Sequence, residues 1–374
     1  MKMKLRSLLV AAFLTVCVSA GVAFAQGTQA TASYDPLPAL PTSNIVAFAN
    51  VQRILVEIVP RLMMKDPAML LKMTTALNDV YEKTGINLLS IDRVAAGLQF
   101  IGPATHEMKK DNLGIAIIIH GDFDADKLIA FLKKETNNKG SEESYGGKIV
   151  HIEPRPAPPA KKSDRETAAY TFLDDHTIVI GDLSQVRATV DAASGKGRVD
   201  STLVQLATRD PNSLIGLAGN VPPELIKDLQ STVSNDPTEQ AISKLLTGLK
   251  QVFASFGATQ MEFDATTGAR FETEAEAQSI SDLLLGLRQQ AAANVDVQEL
   301  RELISAVQVT SQGDQVQIKA SVPTSDVQNF VAMTLRNEKP TVEPKKPETP
   351  TAVKTVSKPT TTTKHRRSKK RRGH

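Results

Sequence analysis

One order of apolar patterns runs twice between residues 43 and 337, and it constrains the fold more than any other feature. A chain with that order interleaves strands with helices; it cannot build a pure helix bundle or an all-strand sandwich. The first pass begins with the strand-like run SNIVAFANV (43–51) and the second with NSLIGLAGNV (212–221), each ending in Asn-Val, Asn50-Val51 and Asn220-Val221. Helix patterns follow. In the first pass this is VQRILVEIVPRLMMKDPAMLLKMTTALNDVYEKTG; in the second it is PPELIKDLQ, with proline at its start where a helix accepts it, then EQAISKLLTGLKQVF. Paired strand patterns come next: VAAGLQFIG (94–102) and NLGIAIIIHGD (112–122), against FASFGATQMEFD (253–264) and GARFETEA (268–275). Each pass then has a helix pattern, DADKLIAFLKKE (124–135) and AQSISDLLLGLRQQA (277–291). Each closes with a strand and a helix, at 176–193 and 314–335.

The expected class is therefore α+β, in two similar halves, 43–207 and 208–337. Each half is read as a mostly antiparallel sheet with helices on one face, β-α-β-β-α-β-like, and the two are expected to be related by a pseudo-symmetric duplication. The alternative is one large mixed sheet in which the halves pair edge to edge and so cover two exposed strand edges.

The ends of the chain are unlike this middle. Residues 1–25 start with Lys2, Lys4 and Arg6, continue as an apolar run from Ser7 to Ala20, and end in Ala23-Phe24-Ala25. That is the layout of a signal peptide cut after Ala25, leaving Gln26 first; the run is short for a spanning helix. Cys17 does not make a lipoprotein site, because Val16 precedes it where a small residue is expected. Residues 26–42 form a linker ending in the Pro-rich YDPLPALPT (34–42). From Glu338 to the end the chain is rich in Pro, Thr and Lys and has no aromatic residue, a composition that cannot offset chain entropy by burial, so disorder is expected. This tail holds 12 Lys and Arg against three Glu, a net +9, with Lys364, Arg366, Arg367, Lys369, Lys370, Arg371 and Arg372 packed at its end. The whole chain is only +3, so residues 26–337 are acidic.

These features set the expected partners. A polycation outside the cell membrane binds an anionic envelope polymer or lipid, each basic residue adding about 1 kcal/mol near such a surface. A tail with no target, or one lying on the acidic body, is the plainer alternative. Specific nucleic acid is excluded by the export signal, and the processed chain is not expected to be an integral membrane protein. For the folded body, the expected partner is an unknown protein or an apolar ligand.

The chain is poor in signatures of chemistry. It has one cysteine, and the signal peptide carries it, which removes disulfide frameworks, thiol nucleophiles and Cys-based metal sites from the mature protein. There is no Trp and only 4% aromatic residues, which weighs against sugar-stacking platforms. No H-E-x-x-H, G-x-S-x-G, Ser-x-x-Lys, P-loop or G-x-G-x-x-G occurs. Asp122-x-Asp124-x-Asp126 resembles the start of a calcium loop, but Lys127 and Lys133 stand where Gly and Glu are needed, so Asp124 reads as a helix cap. The Met63, Met64, Met69 and Met73 cluster reads as core filler, with an apolar groove or Cu(I) as alternatives. Asp174-Asp175-His176 reads as a strand turn, and Gly195-Lys196-Gly197 as a helix C-terminus. The loop 153–166, EPRPAPPAKKSDRE, carries a Pro156-x-x-Pro159-x-Lys161 spacing that a stiff hairpin loop explains without a peptide-binding partner. Of the four body histidines, His106, His120, His151 and His176, His120 and His151 end or lie in strand runs and could meet across a sheet.

The expectation is an exported bacterial-type envelope protein with a non-enzymatic binding or structural role and no cofactor or metal. The alternative is a periplasmic or secreted hydrolase with a site of carboxylates and His120 or His151.

Overall fold

A computed structural model of the chain describes residues 35–64, 66–102, 113–135, 140–153, 167–231, 243, 246–294, 301 and 304–337. Residues 1–34, which include the segment read as a signal peptide, His106, most of the 153–166 loop and the basic tail lie outside the described residues.

The first half contains β1 (Ile45–Ala49), a helical stretch of α1 (Val51–Arg53), a π turn (Ile54–Ile58) and α2 (Val59–Met63), then α3 (Pro67–Thr84), β2 (Arg93–Phe100) and β3 (Leu113–His120). It continues through α4 (Ala125–Glu135), β4 (Ser141–Tyr145), β5 (Lys148–Ile152), β6 (Ala168–Asp174), β7 (Thr177–Asp182), α5 (Leu183–Ala193) and α6 (Ser201–Ala207). The second half contains β8 (Ser213–Asn220), α7 (Pro223–Ser231), β9 (Leu249–Ala258), β10 (Glu262–Phe271), α8 (Glu274–Asn294), β11 (Gln308–Gln312), β12 (Gln315–Pro323) and α9 (Thr324–Asn337).

Local chemistry sets the boundaries. The long helix pattern after β1 is broken at Asp66, whose carboxylate caps α3 by accepting from the Met69 N–H at 3.1 Å, with Pro67 at the first helical position. Gly85 ends α3 in the left-handed conformation at φ 75°. Asp124 caps α4, its Oδ1 accepting from Lys127 N–H at 2.9 Å, as the sequence suggested. Gly195 and Gly197, at φ 93° and 62°, turn the chain out of α5. The expected helix over 239–253 gives way at Leu249, where β9 starts, and β9 and β10 meet at residues 259–261 rather than further on. The alternation of buried Gln251 and Phe253 with exposed Lys250 and Val252 is a strand period, and it overrides the helical pattern.

All twelve strands form one antiparallel sheet in the order β11-β12-β10-β9-β8-β1-β2-β3-β7-β6-β5-β4. The halves share it through the β1–β8 pair, as the edge-to-edge arrangement anticipated, although the sheet is antiparallel throughout rather than mixed. Read outward from that junction, β1-β2-β3-β7-β6 and β8-β9-β10-β12-β11 follow the same connectivity, and the β4–β5 hairpin is extra to the first half.

Residues directly opposite across a ladder share a face. One row therefore runs Gly216–Phe48–Ala95–Ile118–Val179–Thr171–Val150. It is buried beneath α5 and α6, together with Val186, Leu203 and Ala207. Beyond Gly216 the same row turns polar, through Ser255, Thr266, Lys319 and Gln308. On the other face, α1, α2 and α3 cluster with Val94, Ile117 and Ile119, while α4 packs Leu128 and Leu132 against Tyr170 and Ile178. Helices thus cover both faces of the first half, which corrects the one-face expectation. The cause is visible in β3, where Ile115, Ala116, Ile117, Ile118 and Ile119 are consecutive apolar residues and both sides need cover. Met63 is buried, and Met69 and Met73 pack against the same cluster, so they are core as read; Met64 is exposed.

Candidate functional site

The second face carries a row that crosses the whole sheet. Its members are Val309, Ile318, Thr267, Ala254, Leu217, Ala47, Ala96, Ile117, Ile180, Tyr170, His151 and Glu142, each directly opposite the next. Two features along this row are candidates for function.

The first is a cleft of about 380 Å³ where the C-terminal turn of α4 overhangs β4, β5 and β6. The hairpin β4–β5 is built by Gly146 and Gly147, at φ 53° and 76°, a two-residue turn that glycine makes at low cost. Register then places Glu142 opposite His151 and His151 opposite Tyr170. The imidazole stacks on the phenol ring, centroids 4.7 Å apart and planes 11° from parallel. The opposite face of the hairpin is fastened to α5. Arg187 donates two hydrogen bonds of 2.7 Å to Glu143, and the Tyr145 hydroxyl donates to Asp191 at 2.8 Å.

The charges in the cleft are unevenly served. Glu142 Oε1 lies 3.1 Å from Lys133 Nζ and 3.2 Å from His151 Nδ1, and the bond to Lys133 holds its carboxyl below the usual range. Glu153 stands just past the end of β5. Its Oε1 is buried without a hydrogen-bond partner among the described residues, and burial lifts its pKa to about 7. Burial is also the main reason Tyr170 is pushed up to about 12, with Glu153 and Glu142 adding to it. Burial lowers the His151 pKa, against the opposing pull of Glu142, so the ring is neutral near pH 7. With Nδ1 turned to Glu142, Nε2 is the acceptor. Among the described residues no hydroxyl is hydrogen-bonded to His151.

The second feature is an apolar strip next to the junction of the halves. Leu217, Val252 and Phe256 are 37%, 36% and 42% exposed, neighbouring side chains on β8 and β9 that share one face with Ala47 and Ala254. Phe256 stacks on Phe263 at 5.8 Å. α8 packs over β10, β11 and β12, and α9 packs on α2, so helices stand at the ends of the strip.

The sequence-derived candidates fall as follows. His120 and His151 do not meet, because β7 and β6 lie between β3 and β5. His120 instead contacts Thr177 Oγ1 at 3.1 Å and lies 3.8 Å from Asp92, and His176 pairs with Asp122 at 3.1 Å. Among the described residues, no three His, Cys, Asp or Glu side chains converge as a metal site. Lys364, Arg366, Arg367, Lys369, Lys370, Arg371 and Arg372 lie outside the described residues. The sequence alone assigns no site role to Glu142, Glu153, Tyr170 or Lys133. The signal was the Gly146-Gly147 pair, which read as a hairpin turn puts Glu142 opposite His151.

Among the described residues no helix is long and apolar enough to cross a membrane. No family model matches the chain, and no curated protein matches it. The chain is similar to solved structures of TP0453. Crystal form III gives a TM-score of 0.40 at 9% identity over 81% of this chain and 100% of the other; crystal form I gives 0.39 at 11% identity over 81% and 98%. Similarity at that level carries no functional argument.

Proposed function

We propose that this chain is an exported envelope protein of non-enzymatic role, whose body binds an apolar ligand or a partner protein on the open sheet face. The observation that carries this reading is the strip of Leu217, Val252 and Phe256, three large apolar side chains exposed side by side where the halves join. Contiguous exposed apolar surface of this kind marks interaction sites. Export is supported by the charged start, apolar run and Ala-x-Ala end of residues 1–25. In the same reading the +9 tail contacts an anionic polymer or lipid of the envelope, through Lys364 to Arg372.

A second reading, a hydrolase, is favoured by one observation: Glu153, with its pKa near 7, stands in a cleft with His151 and Tyr170. Raised carboxylates in clefts are a common mark of acid–base catalysis.

The experiment is purification of the exported protein from its host, followed by mass spectrometry of bound proteins and small molecules. The binding reading expects an apolar molecule or a partner that Phe256→Asp loses. Retention of the same species by Phe256→Asp counts against the strip.

A further inference from the structure

The cleft beside β5 is separate from the apolar strip, and its charge layout is incomplete. Glu142 is bound by both Lys133 and His151 through one oxygen, at 3.1 and 3.2 Å. Glu153 lines the same cleft with its Oε1 buried and, among the described residues, unbonded. A buried carboxylate oxygen without a donor is a costly arrangement, and in a native fold a bound group is one way to account for it. The cleft walls beside it include Leu132 and Ile152, which are apolar, and the stacked rings of His151 and Tyr170.

We propose that this cleft is a binding site for a small primary ammonium compound, with the ammonium on Glu153 and its alkyl chain along Leu132 and the His151 ring. Three points select that chemistry. The unserved group is an acceptor that becomes anionic near neutrality, so it gains most from a donor that also carries positive charge. Lys133 already serves Glu142, so the site has room for a single added charge and disfavours a dication. At about 380 Å³ the cleft holds one small organic molecule.

The probe is n-butylammonium chloride, titrated into the full mature protein at pH 7 and followed by calorimetry in two buffers of different ionisation heat. Saturable binding with release of about half a proton is expected, because the ammonium drives Glu153 to its anion. 1-Butanol, with the same chain and a neutral donor, should bind at least about tenfold more weakly. Glu153→Gln should lose a similar factor, while His120→Gln, remote from the cleft, should bind as the unmodified protein does. Independently of any variant, the carboxyl carbon of Glu153, followed by NMR, should titrate at lower pH when butylammonium is bound. Equal binding of butanol and butylammonium, an unchanged Glu153 titration, or no saturable binding up to roughly 100 mM overturns the assignment.

Discussion

Replacing Glu153 by glutamine isolates the energetic consequence of burying that carboxyl. Its pKa rises from an ordinary 4.5 to about 7, and burial is the cause. The folded state therefore holds the proton more tightly than the unfolded chain. Stability is unaffected below about pH 4.5, falls as pH rises through the window to about 7, and stays reduced above it. At full burial that change corresponds to roughly 3 kcal/mol. Glu153 is only half-buried, so solvent screening cuts the figure to about 1–2 kcal/mol. The glutamine side chain keeps the shape and cannot ionise. Urea unfolding at pH 4.5 and pH 8 should show the two proteins alike at the lower pH and the variant more stable by about 1–2 kcal/mol at the higher. His151, whose lowered pKa costs stability only as pH falls below its ordinary 6.5, is present in both proteins and cancels from the difference. A variant less stable at pH 8, or a gap that is the same at both pH values, refutes the reasoning.

Other consequences are equally concrete. A Cβ on Gly216 would overlap the Ala207 carbonyl oxygen and the Phe48 ring, so Gly216→Ala should destabilise the body by about 2 kcal/mol or more, read as a lower thermal midpoint. N-terminal sequencing of the exported protein should begin at Gln26; Met1 or a lipidated Cys17 contradicts the signal assignment. Ending the chain at Asn337 should leave the thermal midpoint unchanged and weaken salt-sensitive binding to anionic vesicles, whereas equal binding at low salt removes the tail from the account.

Much of the fold was legible because most elements carry strong local periodicity. The run LSQVRATVDAA is α5 from end to end, and β1, β3, β7 and β8 lie within the apolar runs read for them. The hairpin strand β4 was not legible: Ser-Glu-Glu-Ser-Tyr has no apolar alternation, because it is a sheet edge facing water on one side and Arg187 on the other. Tyr145-Gly146-Gly147 runs straight into the apolar strand Lys148–Ile152, so in sequence the two glycines look like part of one strand, whereas they make the turn. That difference hid the site, since the turn is what sets Glu142 against His151. Glu153 read as the first residue of a proline-rich loop, and nothing local marks a carboxyl as buried; burial comes from α4 and β6, distant in sequence. The strip at Phe256 was hidden for the opposite reason. Alternating apolar residues look the same whether a helix covers them or not.

The central claim, an interaction surface on the open sheet face, is tested most directly by titrating Nile red into the mature protein and following its fluorescence. The account predicts saturable binding that the pair Leu217→Asp and Phe256→Asp weakens at least about tenfold in a variant that stays folded by circular dichroism. Undiminished binding by the double variant contradicts it.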